Sequence, residues 1–314
     1  MKKEKQVSSL NPIQWYPGHM AKAKRQVTEK MSMIDVVIEL TDARLPESAR
    51  NPMVDEMTRQ RPKILVLNKS DLADQAKTQQ WIHYYESQGI AAIAVDSRGP
   101  QSAQKIVSAC QAIMKEKRER QLKKGRRPQS IRALIVGIPN VGKSTLINML
   151  ARKKVAKTGN RPGITTAQQW IKTKSDVDLL DTPGILWPKF EDPEVGYRLA
   201  LTGGIKDDIL DFQEVALYGL SFFSQAYPDA LKDRYKLDEL AEEPFALLEQ
   251  IGEKRGCMQK GGFVDTEKAA ELFLREVRGG QLCRLTLEAP GLHKQEPIAD
   301  TLGESPIESN DKGN

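Results

Sequence analysis

The chain has 314 residues, of which 39% are hydrophobic and 29% are charged, a balance that is typical of a soluble protein with room for two domains. No apolar run approaches the roughly 18 residues of a membrane helix, the N-terminal segment lacks the apolar stretch of a secretory signal, and Cys110, Cys257 and Cys283 are too dispersed for a zinc site. We therefore expect a cytoplasmic protein with reduced thiols and no membrane association, and the net charge of +6 predicts a polyanionic partner only where basic residues cluster.

The N-terminal segment places aromatic, turn-forming and basic residues side by side in the run WYPGHMAKAKR, residues 15–25. Its Pro-Gly pair predicts a turn, and residues 20–32 have the pattern of a helix with a basic exposed face. Trp15 and Tyr16 could stack on RNA bases beside that helix or anchor the segment in the core. His19 stands at the predicted helix start, where a histidine can be a solvated or capping residue or a catalytic one.

The first two predicted strands each end in a polar loop. Residues 34–40 lead into the sequence DARLP at residues 42–46, and residues 63–67 lead into Asn68-Lys69-Ser70-Asp71. This N-K-x-D sequence is typical of the guanine-reading loop of GTPases. The Asp71 carboxylate can accept hydrogen bonds from N1–H and the 2-amino group of guanine, which adenine cannot donate. Asn68 would support the loop and the base, and the aliphatic part of Lys69 would cover the ring.

A third predicted strand, residues 90–95, ends in Asp96, Ser97 and Arg98. GTPases place a second base contact after this strand, usually with a Ser-Ala-Lys-like sequence. We expect these three residues to contribute to GTP binding mainly through their backbone, because their side chains match that pattern imperfectly.

Helices are predicted on both sides of this strand, at residues 74–88 and 101–122. The densest basic run follows at residues 115–127, and we expect a basic linker at about 115–130, where Gly125 and Pro128 break the helix. Such a run is either a solvated helix end or a contact for RNA.

The most specific motif follows the fourth predicted strand, residues 131–136. Residues 137–145 (GIPNVGKST) fit the phosphate-binding loop pattern G-x-x-x-x-G-K-[ST] and lead directly into a helix. Backbone N–H groups of such a loop point at phosphate, and the helix dipole favours negative charge. Lys143 would reach the β- and γ-phosphates, and the Ser144 hydroxyl would bind Mg²⁺. The predicted nucleotide contacts in this loop are Asn140, Val141, Gly142, Lys143, Ser144 and Thr145.

Two segments after the phosphate loop are predicted to sense the γ-phosphate and Mg²⁺. In residues 157–166, Thr165 is the predicted Mg²⁺ ligand and Thr166 is the alternative. Short strands at residues 171 and 177–180 lead into the sequence DTPG, in which Asp181 would hold Mg²⁺ and the Gly184 N–H would contact the γ-phosphate.

The residue after Gly184 bears on the mechanism. Ras-like enzymes have a glutamine there that orients the attacking water, but this chain has Ile185. An apolar side chain cannot orient water. The group that does so must come from elsewhere in the chain, from a partner, or from a bound ion.

The order of the motifs predicts a circularly permuted fold, because the base-reading motif precedes the phosphate loop and in ordinary GTPases follows it. We predict an α/β fold. A permuted P-loop GTPase domain, with a mostly parallel sheet flanked by helices, would occupy residues 1–204, and a small all-helical domain would occupy residues 205–285. The helical patterns lie at residues 209–223, 237–250 and 266–278, and the polar residues 286–314 are expected to be disordered.

Taken together, the motifs resemble those of the circularly permuted ribosome-assembly GTPases, namely the bacterial ribosome biogenesis GTPase A (YlqF/RbgA) family, over roughly residues 12–285. The matching sequences are WYPGHMAKA (15–23), DARLP (42–46), NKSD (68–71), GIPNVGKST (137–145), PGITT (162–166) and DTPGILWP (181–188). The resemblance implies Mg²⁺-dependent GTP hydrolysis to GDP, coupled to late maturation of the large (50S) ribosomal subunit and stimulated by it. It also implies a C-terminal domain that binds ribosomal RNA.

The resemblance further implies roles for two residues. His19 corresponds to a histidine that is implicated in hydrolysis in place of the missing glutamine. Asn140 corresponds to an asparagine that helps hold K⁺ near the phosphates, where the ion would offset transition-state charge.

Two other functions are compatible with the residues. One is an RNA-binding assembly factor that uses bound nucleotide only as a conformational signal, with negligible turnover. The other is a GTPase that serves tRNA modification or membrane signalling. We expect a monomer in each case.

Overall fold

The computed structural model describes residues 13, 18–127, 129–156 and 169–291, without the side chains of His19, Met20, Ala23 and Pro100. In this part of the chain six strands form one sheet with the spatial order β3-β2-β1-β4-β6-β5. Neighbouring strands are parallel except for the antiparallel pair of β5 and β6. The strands are β1 (Val36–Asp42), β2 (Lys63–Asn68), β3 (Ala91–Ala94), β4 (Ile131–Gly137), β5 (Gln169–Ile171) and β6 (Val177–Asp181).

The central strands are buried on both faces, which explains their nearly continuous apolar sequence. Every residue of β1 is buried, and so is β4 except for Arg132. The predicted first strand, residues 34–40, is shifted, because the paired segment begins at Val36 and continues to Asp42. Asp42 is therefore the last residue of the strand.

The strand order has the arrangement that a circular permutation requires. The phosphate-loop strand β4 lies between β1 and β6, with the strands that precede it in the chain on one side and those that follow on the other. The base-reading half of the sheet therefore comes first in the chain and still pairs with the phosphate-binding half. The predicted permuted α/β fold is confirmed.

Six helices accompany the sheet: α1 (Gly18–Lys30), α2 (Pro52–Thr58), α3 (Gln75–Ser87), α4 (Pro100–Lys123), α5 (Lys143–Ala151) and α6 (Pro193–Thr202). Helix α4, with 24 residues, connects the edge strand β3 to the central strand β4. The basic linker predicted at about 115–130 is therefore wrong in its first half, because residues up to Lys123 continue α4 and only the following residues connect to β4.

Four further helices follow in the segment for which a helical domain is predicted: α7 (Phe212–Ala226), α8 (Pro228–Tyr235), α9 (Pro244–Lys254) and α10 (Thr266–Arg278). The helix predicted at residues 237–250 begins later, at Pro244, whose ring is suited to the first turn of a helix. The chain before it leaves α8 through Lys236, which has a left-handed conformation with φ of 56°. Helices α7 and α10 both pack against α6, and no helix among the described residues is long and apolar enough to cross a membrane.

The segment after the helical domain returns to the sheet. Leu285, Thr286, Leu287 and Glu288 are all buried, so the disordered tail predicted from residue 286 does not begin there. Disorder was predicted because residues 286–314 are polar, with proline and several acidic residues. It is ordered by partners that are distant in the chain, as described below.

Candidate nucleotide site

The predicted nucleotide motifs all follow the carboxyl ends of parallel strands. The phosphate loop follows β4, N-K-S-D follows β2, Asp96-Ser97-Arg98 follows β3, and D-T-P-G begins at the end of β6. Because these ends meet at one edge of a parallel sheet, the fold brings the motifs together in the crevice where α/β proteins bind ligands.

Two glycines of the phosphate loop are required by close contacts. Gly137 has φ of 155°, and a Cβ there would lie 2.5 Å from the carbonyl oxygen of Leu40. Gly142 has φ of 101°, and its Cβ would lie 2.3 Å from Nδ2 of Asn68. The loop therefore packs against the base-reading motif at a position that only glycine can occupy.

Lys143 and Asp181 are two buried residues of opposite charge at the centre of the site. The Lys143 ammonium donates to the carbonyls of Gly137 at 3.0 Å and Ile138 at 2.6 Å. Burial lowers the pKa of Lys143 to about 8, although Asp181 opposes this shift. Burial likewise raises the pKa of Asp181 to about 6, against the effect of Lys143. The site thus holds charged groups at an energetic cost that bound phosphate and a cation would relieve.

Asn68 connects the base-reading loop to two other motifs. Its Nδ2 donates to the carbonyl of Val141 at 2.7 Å, and its Oδ1 accepts from the Ser97 hydroxyl at 2.6 Å and the Ser97 N–H at 3.2 Å. The Ser97 side chain, whose role the sequence left undefined, therefore fixes the orientation of the Asn68 amide.

Arg98 lies against the carboxylate of Asp71, the predicted guanine contact. Its guanidinium forms ion pairs with Asp71 and, at 3.2 Å, with Asp96. Asp71 and Asp96 face a cavity of about 290 Å³ beside α3 and the start of α4. Arg98 therefore contributes a side-chain contact to Asp71, beyond the backbone role expected from the sequence.

The D-T-P-G segment lies directly on the phosphate loop. A Cβ on Gly184 would come within 2.8 Å of the Cα of Pro139, and the Ile185 N–H donates to the Gly137 carbonyl at 3.2 Å. The Ile185 side chain is fully buried in a cluster that includes Val27 of α1. It cannot contact an attacking water.

Asn140 points towards the C-terminal end of α6. It has φ of 56°, and its Nδ2 donates to the carbonyl of Gly203 at 2.9 Å. The phosphate loop is thereby linked to the residue that ends α6, at the entrance to the helical domain.

The remaining predicted residues are placed only in part. Ser144 and Thr145 lie half-buried in the first turn of α5, and the backbone of His19 lies in the first turn of α1. The side chain of His19, Thr165 and Thr166 lie outside the described residues.

No specific role was predicted for Asp42 and Arg44 of the D-A-R-L-P motif, and the structure places them against the N-K-S-D loop. The Arg44 guanidinium binds both oxygens of Asp42, at 2.9 and 2.8 Å, and Lys69 Nζ lies 3.0 Å from Asp42 Oδ2. Burial alone would raise the pKa of Asp42, but Arg44 and Lys69 outweigh it and hold that pKa well below its usual range. Charged residues at the end of an apolar strand were the available signal.

The comparisons with known proteins agree with this geometry. Residues 132–237 match a family model described as 50S ribosome-binding GTPase. Ribosome biogenesis GTPase A of Bacillus cereus is 58% identical over 278 residues, covering 88% of this chain and 94% of that protein. The protein of the same name from Thermotoga maritima is 32% identical over 88% of this chain and 95% of its own length.

A solved structure supports the fold as well. GNP-bound YlqF from T. maritima matches with a TM-score of 0.60 and 28% identity, covering 86% of this chain and 99% of that one. The chain therefore belongs to the ribosome biogenesis GTPase A family of GTP-hydrolysing enzymes.

Proposed function

We propose that this GTPase acts in late maturation of the large ribosomal subunit, binds the subunit precursor through ribosomal RNA, and is stimulated by it. The observation that carries the nucleotide part is the Asn68 side chain, which joins the phosphate loop and the second base loop through Val141 and Ser97. The names of the relatives support the ribosomal part. The protein would act as a cytoplasmic monomer.

The geometry supports guanine recognition by Asp71, with Asn68 and Ser97 holding the loop and Lys69 covering the base. Lys69 Nζ lies 3.0 Å from Asp42 Oδ2, and this ion pair anchors the side chain whose aliphatic part would cover the ring. The phosphates would bind the N–H groups between Asn140 and Thr145 at the start of α5, and the Gly184 N–H would contact the γ-phosphate.

The site also fits Mg²⁺. Asp181 Oδ1 is a buried oxygen for which no hydrogen-bond partner is found among the described residues, and hard oxygen donors are what Mg²⁺ prefers. Ser144 and Asp181, with Thr165 or Thr166, would hold the ion. When bound, Mg²⁺ supplies positive charge that offsets the charge on the phosphates. If K⁺ also binds, we propose that Asn140 helps to hold it near the phosphates.

The water that attacks GTP needs an orienting group, and the buried Ile185 cannot serve. We propose that His19 provides it. Val27 holds α1 against the cluster that contains Ile185, so the helix that has His19 in its first turn is anchored to the segment following Gly184. Intrinsic turnover should be slow until the subunit positions that first turn.

The helical domain carries the residues that we assign to RNA contact. Phe263 is 75% exposed beside the exposed Lys260, in the turn between α9 and α10, where Met258 and Val264 form an isolated β-bridge. An exposed aromatic ring next to a cation suits stacking on an unpaired base.

His19→Ala tests the catalytic assignment, with His83→Ala as its matched control because His83 is exposed on α3. We expect His19→Ala to lose subunit-stimulated hydrolysis and to keep GTP affinity, and His83→Ala to keep both. An unchanged stimulated rate in His19→Ala would remove His19 from the mechanism.

Sedimentation with subunits tests the ribosomal assignment. We expect co-sedimentation with large-subunit precursors in a non-hydrolysable GTP analogue, and weaker association in GDP or with small subunits. Nucleotide-dependent binding without any turnover would favour the signalling factor over the enzyme that we propose. Binding to neither subunit would contradict the ribosomal role.

A further inference from the structure

The chain that leaves the helical domain runs directly behind the base-reading loop. The Leu285 N–H donates to the carbonyl of Leu72 at 3.0 Å, and Leu72 is the residue after Asp71. The turn that follows α10 touches the same place, since a Cβ on Gly280 would lie 2.6 Å from Leu72 Cδ2. The helical domain is thus in contact with the loop that we assign to guanine.

The same segment also fastens the loop after β1. The Leu287 N–H donates to the Arg44 carbonyl at 2.7 Å, and Arg44 holds the Asp42 carboxylate that anchors Lys69. Residues 285–288 therefore contact the base-reading loop at Leu72 and the loop after β1 at Arg44.

Glu288 is the centre of this arrangement. Its carboxylate accepts from the N–H groups of Glu47 at 2.8 Å and Ser48 at 3.0 Å, and Arg198 of α6 lies 3.7 Å away. Its carbonyl accepts from the indole N–H of Trp81 in α3 at 3.3 Å. The residue is 5% exposed, so each of these bonds is made where water cannot replace it.

We propose that Glu288 is a positioning residue for the base-reading loop, and that it makes guanine-nucleotide affinity depend on how residues 285–288 are seated. The inference rests on the proposed assignment of Asp71. A partner that displaced this segment from the helical-domain side would then weaken nucleotide binding. Affinity for GDP, rather than the chemical step, is the quantity that changes.

Glu288→Gln is the test. In wild type each carboxylate oxygen of Glu288 accepts from a backbone N–H, of Glu47 or of Ser48. The glutamine NH₂ would replace one of these oxygens and place a donor against a donor. We expect Kd for GDP to rise about tenfold and KM for GTP to rise similarly, with kcat at saturation unchanged. Trp81→Phe, which removes the indole donor to the Glu288 carbonyl together with part of the ring, should shift Kd in the same direction by a smaller factor and serves if Glu288→Gln does not fold.

Glu276→Gln is the matched control. Glu276 is also 5% exposed, but its partners Arg234 and Arg255 both belong to the helical domain. We expect its thermal stability to fall while Kd for GDP stays within twofold of wild type.

Two outcomes would overturn the proposal: a folded Glu288→Gln with wild-type Kd, or equal losses of affinity in both glutamate variants. The underlying base assignment is tested separately by Asp71→Asn. If that variant still prefers GDP to the xanthine nucleotide, the assignment of Asp71 fails. The proposal for Glu288 is decided separately, by the Kd for GDP of the glutamate variants.

Discussion

Replacing Asp181 by asparagine should stabilise the nucleotide-free protein while it abolishes the function of the site. Burial raises the pKa of Asp181 from 3.8 to about 6, so ionising this carboxyl is less favourable in the folded chain than in the unfolded one. At about 1.4 kcal/mol per pKa unit, the ionised group costs about 3 kcal/mol at neutral pH. Asparagine has nearly the same shape and carries no charge.

The pH dependence distinguishes this reasoning from a simple packing effect. Below pH 3.8 the carboxyl is protonated in both states, and its cost appears as pH rises from about 4 to 6. The gain from Asp181→Asn should therefore be small near pH 4 and complete above pH 6, reaching about 1–3 kcal/mol. Urea unfolding with EDTA and without nucleotide, at pH 4.5 and pH 7.5, measures it.

Asp178→Asn is the control, because Asp178 lies on the same strand, β6, and is only half-buried. We expect its effect to stay within about 0.5 kcal/mol. With Mg²⁺ and GDP added, wild type should gain stability and Asp181→Asn should gain much less. A variant no more stable than wild type at pH 7.5, or a gain that is the same at both pH values, would refute the buried-charge argument.

Three further predictions concern the nucleotide. Gly142→Ala should weaken GDP binding by well over tenfold, because its methyl group meets Nδ2 of Asn68. The control is Gly125→Ala, which is also at positive φ but has nothing within 4 Å, and it should leave the Kd for GDP unchanged. Equal effects of the two variants would exclude the clash as the cause. Asp71→Asn should shift preference from guanine to xanthine nucleotides in competition binding, and retained GTP preference would rule out Asp71 as the base reader. Because burial lowers the pKa of Lys143 to about 8, the nucleotide-free site loses the positive charge of this residue as pH rises. The affinity for GTP, measured by titration, should therefore fall between pH 7 and pH 9. An affinity that is independent of pH would show that Lys143 stays charged.

Local patterns in the sequence were sufficient for the nucleotide loops, because each is short, contiguous and attached to a strand end. Glycine at 142 illustrates this: the motif requires it, and the structure shows the Asn68 side chain that makes it necessary. The strand order could likewise be inferred from the order of the motifs, since the permuted halves must still pair in one sheet.

Contacts between distant parts of the chain could not be predicted in the same way. Nothing in the local sequence shows that Glu288 would accept from the backbone of Glu47 and Ser48, so the segment looked like the start of a disordered tail. The link from Asn140 to Gly203 was hidden for the same reason. The two contacts lie where the chain enters and where it leaves the helical domain, and the coupling between partner and nucleotide would lie there.

The central claim is that the large ribosomal subunit activates this GTPase. GTP hydrolysis by the purified protein in K⁺ buffer, alone, with large subunits and with small subunits, tests it most directly. We predict a slow rate alone and with small subunits, and a rise of about a hundredfold or more with large subunits, the scale of one supplied catalytic group. Equal rates in all three conditions, with GTP still tightly bound, would contradict the account.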